Sequence, residues 1–303
     1  MSKGQKLILS VGVLVIIIVT ICTFFQADIK YEITTRKIEH LYGVTKENNY
    51  FKEDSFSYVS NYEDAVLTSK EDIINSVYYT INSGITETEK YCARDYDDCY
   101  QDITDVSNDK ELLSTLNNYV HPFNTFETIS FDFDMNKVKI TIQHIYNDEE
   151  IDKVNSVVDS IIEKNINSSM STKEKIKTIH DYIIDNTDYD KLKADNKEDT
   201  TYKSNTAYGV LIQEYGICSG YSDAMAIFLD KLNIINYKIS NDQHIWNLVY
   251  LDNRWLHLDL TWDDPISDQN ITRDNYFLIT SKTLKEFNDG VHYFNNDTYP
   301  EAK

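Results

Sequence analysis

Residues 216–221 read G-I-C-S-G-Y and place Cys218 between two glycines, where a helical pattern begins. Apolar residues recur after it at helical spacing, at Tyr221, Met225, Phe228, Leu229 and Leu232. Cys218 is therefore expected at a helix N-terminus, where unpaired N–H groups and the helix dipole stabilise a thiolate and can bind an oxyanion. This makes Cys218 a candidate nucleophile. The alternative is a small buried side chain, which cysteine often is.

A histidine and an aspartate that suit this cysteine lie on a predicted hairpin in residues 243–265, where two strand-like runs flank Asp252-Asn253. A two-residue turn predicts three cross-strand pairs: Leu251 with Arg254, Trp246 with Asp259, and His244 with Thr261. His244 and Asp259 are then diagonal neighbours on one face, with side chains in mutual reach. The predicted roles are base for His244 and orienting acid for Asp259.

Other histidines compete less well for the role of base. His257 shares the predicted face but pairs with Leu248, so it ranks second, and His180 and His292 are expected to be structural. No cluster of His, Cys, Asp and Glu has metal-ligand spacing, and no glycine loop suits a phosphate. The sequence therefore predicts neither a metal nor a cofactor.

Three ordered motifs resemble the transglutaminase-like superfamily, whose fold is papain-like. They are G-x-C-x-G-Y at 216–221, H-x-W-N at 244–247, and D-x-T-W-D-D-P at 259–265. The resemblance covers about residues 150–285 and implies that Cys218, His244 and Asp259 form a catalytic triad for acyl transfer to an amine or to water. The motif forms look more like bacterial secreted members than animal cross-linking enzymes, and no calcium signature of the animal type is present.

Aromatic residues near these motifs are candidate substrate-binding residues: Tyr208, Tyr221, Trp246 and Trp262. Tyr208 and Trp246 are also candidates for a second oxyanion donor, which the motifs leave unassigned.

The chain has 303 residues, and its net charge of −21 argues against binding to nucleic acid. Residues 7–25 form an uncharged apolar run after Lys3 and Lys6, which predicts a membrane anchor with the N-terminus in the cytoplasm and the rest outside the cell. A cleaved signal peptide is the alternative. Cys22 lies in this run. Cys92 and Cys99 could form a disulfide outside the cell, but their spacing does not decide whether they do.

The elements around the motifs predict an α+β fold in four parts: an anchor (1–25), a stalk (26–60), a small α+β module of unknown role (61–150) and a transglutaminase-like domain (151–303). Ser69 with Asp72 and Ser171 with Glu174 predict two capped helices. Apolar and polar residues alternate from Phe126 to Ile142, which predicts a β-hairpin. In the last part, the cysteine helix is expected to pack on an antiparallel sheet that carries the histidine and the aspartate.

Together these features predict a membrane-anchored, extracytoplasmic cysteine enzyme that acts on amide or peptide bonds of proteins or peptides, with cell-envelope substrates as candidates. The alternative is a catalytically silent binding module for cell-envelope protein or peptidoglycan, because all three tryptophans lie between 246 and 262 and suit an aromatic groove. A third reading is a scaffold held near the membrane.

Overall fold

The computed structural model describes residues 47–53, 58–264 and 274–303. The predicted anchor, Cys22 and most of the predicted stalk lie outside these residues. In the described ranges, no helix is both long and apolar enough to cross a membrane.

The first half of the described chain builds a four-stranded sheet flanked by helices, with strand order β1-β2-β4-β3. Its strands are β1 (Val66–Leu67), β2 (Glu87–Cys92), β3 (Phe126–Asp134) and β4 (Lys137–His144). Its helices are α1 (Lys70–Asn82), α2 (Cys99–Asn108) and α3 (Lys110–Asn118), followed by a 3₁₀ turn at Pro122–Asn124. The predicted hairpin is confirmed as β3 and β4, which pair in antiparallel fashion.

A disulfide joins the end of β2 to the start of α2. Cys92 and Cys99 are bonded, with their Cα atoms 6.0 Å apart. The sequence left it undecided whether these two cysteines pair, and in the structure they do. Cys218 is the free cysteine of the described ranges.

Both predicted helix caps form, but in different ways. Ser171 and Glu174 make a reciprocal capping box at the start of α5 (Thr172–Asp185). At the start of α1, Ser69 accepts from the Asp72 N–H as expected, whereas the Asp72 carboxylate binds the backbone and hydroxyl of Thr68. That second interaction differs from a capping box because the carboxylate reaches one residue further back.

The second half places helices around a small antiparallel sheet with strand order β7-β8-β9. Besides α5, its helices are α4 (Asp148–Asn165), α6 (Lys191–Asp195), α7 (Cys218–Lys231), α8 (Leu260–Asp263) and α9 (Ser281–Phe287), with one π-helical turn at Gly209–Gln213. Its strands are β7 (Asn236–Ser240), β8 (Ile245–Leu251) and β9 (Arg254–Leu258), and a short parallel pair, β5 (Asp188–Tyr189) and β6 (Tyr215–Gly216), precedes α7.

Both faces of the β7-β8-β9 sheet are buried. Val249 and Leu258 belong to one apolar cluster with residues of α5 and α7. Trp246 and Leu248 belong to a second cluster, which includes residues of α1, β4 and other elements of the first half. Alternation along a strand sends successive side chains to opposite faces, so both clusters come from the same strands. Packing therefore crosses the boundary predicted at residue 150.

Candidate active site

Cys218 is the first residue of α7, as the sequence predicted. Ile217 precedes it in extended conformation, at φ −115° and ψ 176°, and its aliphatic side chain cannot cap the helix. The first N–H groups of a helix have no partner within the helix, so those at this end can bind an oxyanion. Cys218 is half-buried and is not in a disulfide.

Gly220 lets α7 approach the preceding loop closely. A Cβ at this position would lie 2.2 Å from the Ser204 carbonyl oxygen and 3.0 Å from that of Thr206. The Ser204 carbonyl also accepts from the Ile217 N–H at 2.9 Å. The loop is thus fixed against the start of α7, and only glycine fits at position 220 without displacing it.

Two polar residues tie α7 to the strand that follows the histidine. The Ser222 hydroxyl lies 2.8 Å from the Cys218 carbonyl oxygen and 3.0 Å from that of Ile245. Asn247 donates to the Ser222 carbonyl at 2.9 Å. These bonds set the distance between Cys218 and the start of β8. No sequence pattern pointed to Ser222. Asn247 could have been found, because it is the last residue of the H-x-W-N motif.

His244 lies immediately before β8 and is 6 % exposed. Its Nε2 is 2.5 Å from Asp259 Oδ2, and its ring is stacked beside Trp246 with centroids 5.6 Å apart. Its backbone N–H donates to Asn241 at 3.0 Å. The Cys218 side chain lies close enough to the same imidazole to raise its pKa. The structure therefore brings the predicted cysteine, histidine and aspartate together.

The charge state of His244 is set by this environment. Burial lowers the pKa of His244, but the Asp259 carboxylate next to it and the Cys218 side chain raise that pKa to about 10. The ordinary value is 6.5. His244 is consequently an imidazolium at neutral pH, which is the form that pairs with a cysteine thiolate.

Asp259 accepts hydrogen bonds on both carboxylate oxygens. Oδ1 accepts from the N–H groups of Thr261 and Trp262 at 2.9 and 3.2 Å, and Oδ2 accepts from His244 and from His292 at 2.5 and 2.7 Å. Although burial raises the pKa of Asp259, the charges and hydrogen bonds of the two histidines hold it well below its usual range.

The hairpin register is as predicted, but its end is not. Leu251 pairs with Arg254, and the ladder stops at Asn247 with Leu258. The predicted pairs of Trp246 with Asp259 and of His244 with Thr261 do not form. The reason is that Asp259 caps α8, so the chain leaves the strand one residue after Leu258. The contact between His244 and Asp259 survives because it needs only proximity at the end of the hairpin.

His257, which ranked second as the base, makes contacts that hold the structure together. His257 pairs with Leu248 as predicted; it accepts from Trp246 Nε1 at 3.1 Å and hydrogen-bonds Ser281 at 2.9 Å. Burial, with His292 and Lys285 nearby, lowers the pKa of His257 to about 3, so it is neutral. It does not hydrogen-bond Asp259 and is not placed as the base.

The two further aspartates of the third motif hold neighbouring segments. Asp263 lies 3.1 Å from Nε2 of the fully buried His180 and accepts from the Tyr276 N–H at 2.9 Å. Asp264 accepts from the Tyr221 hydroxyl at 2.6 Å. These bonds attach α8 to α5 and α7.

The candidate substrate-binding residues are not all at a surface. Tyr221 and Trp246 are each 1 % exposed, so in this structure both are packing residues with no surface to offer a substrate. Tyr208 is half-buried and has Lys153 5.9 Å from its ring centroid. Trp262 is 37 % exposed and lies edge-on to His244, at 6.3 Å between ring centroids. Of the four, Trp262 is placed at the rim of the site.

His244, Asp259 and His292 also form a group of potential metal ligands whose atoms lie within 4.8 Å of one another. Two nitrogen or oxygen ligands of one zinc ion, each about 2.0–2.1 Å from it, are separated by about 3.3 Å in a tetrahedral site. The N···O distances here are 2.5 and 2.7 Å. They are hydrogen bonds, and we assign no metal to the group.

Part of the chain matches a known protein family. Residues 159–260 match the family model described as "Transglutaminase-like superfamily". These residues form a transglutaminase-like domain. Cys218, His244 and Asp259 all lie in the matched segment of the domain, and the resemblance in the sequence is thereby confirmed.

Two solved structures resemble the chain. One is a TGase, at 17% identity and a TM-score of 0.36, with 63% of this chain and 54% of that chain covered. The other is a candidate cysteine protease from Cytophaga hutchinsonii, at 11% identity and a TM-score of 0.28, with 44% of this chain and 62% of that chain covered. The chain thus spans less than two thirds of the length of either structure. No curated protein matches the sequence.

Proposed function

We propose that the protein is a cysteine-dependent acyl-transfer enzyme that acts on amide or peptide bonds through Cys218, His244 and Asp259. The observation that carries the proposal is the chain of contacts from the Cys218 side chain to the His244 imidazole and from its Nε2 to Asp259 Oδ2 at 2.5 Å. The transglutaminase-like domain supports it, because that superfamily usually includes cysteine-dependent enzymes.

The chemistry follows from the positions of these groups. The Cys218 sulfur attacks the carbonyl carbon of an amide, and the N–H groups at the start of α7 bind the oxyanion. The C–N bond then breaks, and His244 gives its proton to the departing amine or ammonia, which leaves a thioester on the sulfur. Water or a second amine attacks the thioester carbon and gives a proton to His244. The C–S bond then breaks, the acid or the new amide leaves, and Cys218 is regenerated as a thiolate beside the imidazolium.

The pKa of His244 should change when the thioester forms. The Cys218 side chain is one of the groups that raise the pKa of His244, and a thioester on that sulfur carries no charge. His244 therefore becomes a better base at the step where water or an amine must be deprotonated. Asp259 stays charged throughout and keeps Nε2 protonated, so that Nδ1 is the nitrogen free to exchange a proton with the sulfur.

We also propose that the enzyme acts outside the cytoplasm on proteins or peptides, including those of the cell envelope. Two features support this location. The uncharged apolar run at residues 7–25 has the length of a membrane anchor, and the Cys92–Cys99 disulfide suits an oxidising compartment.

The test is to trap the acyl-enzyme. The protein is incubated with peptides that carry a glutamine carboxamide or an amidated C-terminus, with and without a fluorescent primary amine, and the intact mass is measured. We expect an acyl adduct on Cys218 that is absent from Cys218→Ala. Incorporation of the amine would show transfer, and release of ammonia without it would show hydrolysis.

The contradicting result is ligand binding without turnover. If a peptide binds equally to the wild type and to Cys218→Ala, and no amide gives an adduct, the binding-module alternative replaces the enzyme.

A further inference from the structure

His292 is buried between two carboxylates. Its side chain is 1 % exposed; its Nε2 is 2.7 Å from Asp259 Oδ2 and its Nδ1 is 2.8 Å from Asp289 Oδ2. An ionised carboxylate can only accept hydrogen bonds, so both ring nitrogens must donate when both carboxylates are charged. Each ring nitrogen of His292 thus lies against one carboxylate oxygen.

The same Asp259 oxygen serves His244 and His292. The rings of the two histidines are nearly perpendicular, at 87°, with centroids 5.0 Å apart. Since the other oxygen of Asp259 is occupied by two backbone N–H groups of α8, the carboxylate is held from three directions. Rotation of the carboxylate toward or away from His244 would break the bond to His292.

The segment that carries His292 is tied to the segment that carries His244. Asn241 accepts from the His244 backbone N–H at 3.0 Å, and its amide nitrogen donates to the carbonyls of Val291 and Tyr293 at 2.7 Å each. The Tyr293 hydroxyl also hydrogen-bonds Asp242. The backbone segments of the two histidines are therefore hydrogen-bonded to the same asparagine.

Aromatic rings and a turn fix the His292 ring itself. Tyr276 stacks on it at 4.9 Å between centroids and donates its hydroxyl to Asp289 at 3.1 Å. Trp246 and Trp262 contact it edge-on, each at 5.0 Å. Asp289 in turn accepts from the Val291 and His292 backbone N–H groups. The imidazole has no freedom to leave Asp259 without breaking these contacts.

We propose that His292 is a positioning residue of the active site: it holds the Asp259 carboxylate in the orientation that sets His244 against Cys218. His292 is 33 residues from Asp259 in the chain and lies outside the segment that matches the family model. The proposal rests on the proposed function for its effect on reactivity, but the hydrogen-bond geometry stands apart from any substrate.

The test compares His292→Phe, which removes both hydrogen bonds, with His292→Gln, which can keep one N–H donor for Asp259. His180→Phe is the matched control, because His180 is also buried between two carboxylates, Asp181 and Asp263, but does not touch Asp259. Two quantities are measured in each folded variant: the rate of Cys218 alkylation by iodoacetamide at pH 6, and the proton NMR signal of the His244 Nε2–H, assigned by its loss in His244→Gln.

We expect His292→Phe to slow alkylation of Cys218 about tenfold, because a loosened carboxylate leaves His244 out of line. His292→Gln should recover most of that loss. The His244 proton signal should move upfield and broaden in His292→Phe, because a carboxylate that is no longer held leaves a longer and more variable hydrogen bond to Nε2. His180→Phe should leave both readouts in place.

A folded His292→Phe protein with an unchanged His244 signal and an unchanged alkylation rate would overturn the proposal and leave His292 a packing residue. Failure of the proposed function looks different. In that case wild-type Cys218 reacts no faster than a free thiol, while the His244 signal still reports whether His292 acts on Asp259.

Discussion

Asp259→Asn should uncouple His244 from Cys218 without unfolding the protein. The side-chain oxygen of asparagine can still accept from Thr261 and Trp262, so the cap of α8 is preserved. The other end of the side chain becomes an uncharged N–H₂ donor facing His244 Nε2. His244 then accepts at Nε2 and carries its proton on Nδ1, which is the wrong tautomer for taking a proton from the sulfur.

The size of the effect follows from the pKa of His244. The difference between the ordinary value of 6.5 and the value of about 10 in the folded protein corresponds to about 5 kcal/mol favouring the imidazolium. Asp259 is the largest of the influences that raise this pKa, so loss of its charge should lower the pKa well below 10, although Cys218 still raises it. A wrong tautomer should also lower kcat by about four orders of magnitude.

The assay is an NMR titration of the His244 ring in protein labelled with ¹³C-histidine. We expect titration near pH 10 in the wild type and at a clearly lower pH in Asp259→Asn. Asp263→Asn is the control, because that buried carboxylate binds His180 rather than His244 and should leave the His244 titration unchanged. Superimposable titrations of the wild type and Asp259→Asn would refute the reasoning.

Two further predictions concern stability. Gly220→Ala should lower the free energy of unfolding by about 2 kcal/mol or more in urea denaturation, because its Cβ would meet the Ser204 carbonyl at 2.2 Å; an unchanged midpoint would show that the loop yields freely. Burial, His292 and Lys285 lower the pKa of His257 to about 3. As the pH falls below 6.5, the unfolded chain therefore binds a proton at His257 before the folded chain does, which lowers the free energy of unfolding. The loss of stability between pH 6.5 and pH 5 should therefore be smaller in His257→Asn by about 2 kcal/mol, and an equal loss in both proteins would contradict this account of His257.

The sequence was sufficient for the parts of the site that depend on local pattern. The helix that begins at Cys218 follows from apolar spacing, and the register of the hairpin follows from the turn at Asp252-Asn253. His244 and Asp259 were expected as neighbours for that reason. Their direct hydrogen bond depends on the way the chain leaves β9, where side-chain capping by Asp259 ends the strand before the alternating pattern ends.

Local sequence patterns could not show which distant segments come into contact. His292 reaches Asp259 across 33 residues, through a turn at Asp289 that carries no strand or helix periodicity. The packing of Trp246 and Leu248 with residues of the first half likewise depends on how the two parts of the chain meet. A buried tryptophan and a groove tryptophan have the same sequence signature, so Trp246 was expected as a substrate-binding residue and is a core residue instead.

The most direct measurement of the central claim is the rate at which iodoacetamide alkylates Cys218 at pH 6, located by mass spectrometry and compared with glutathione. A free thiol with a pKa of about 8.5 is less than about 1 % thiolate at this pH. If His244 holds the proton of Cys218, the wild type should react about a hundredfold faster than glutathione, and His244→Gln should fall to the rate of the free thiol. Equal rates for the wild type, His244→Gln and glutathione would contradict the account.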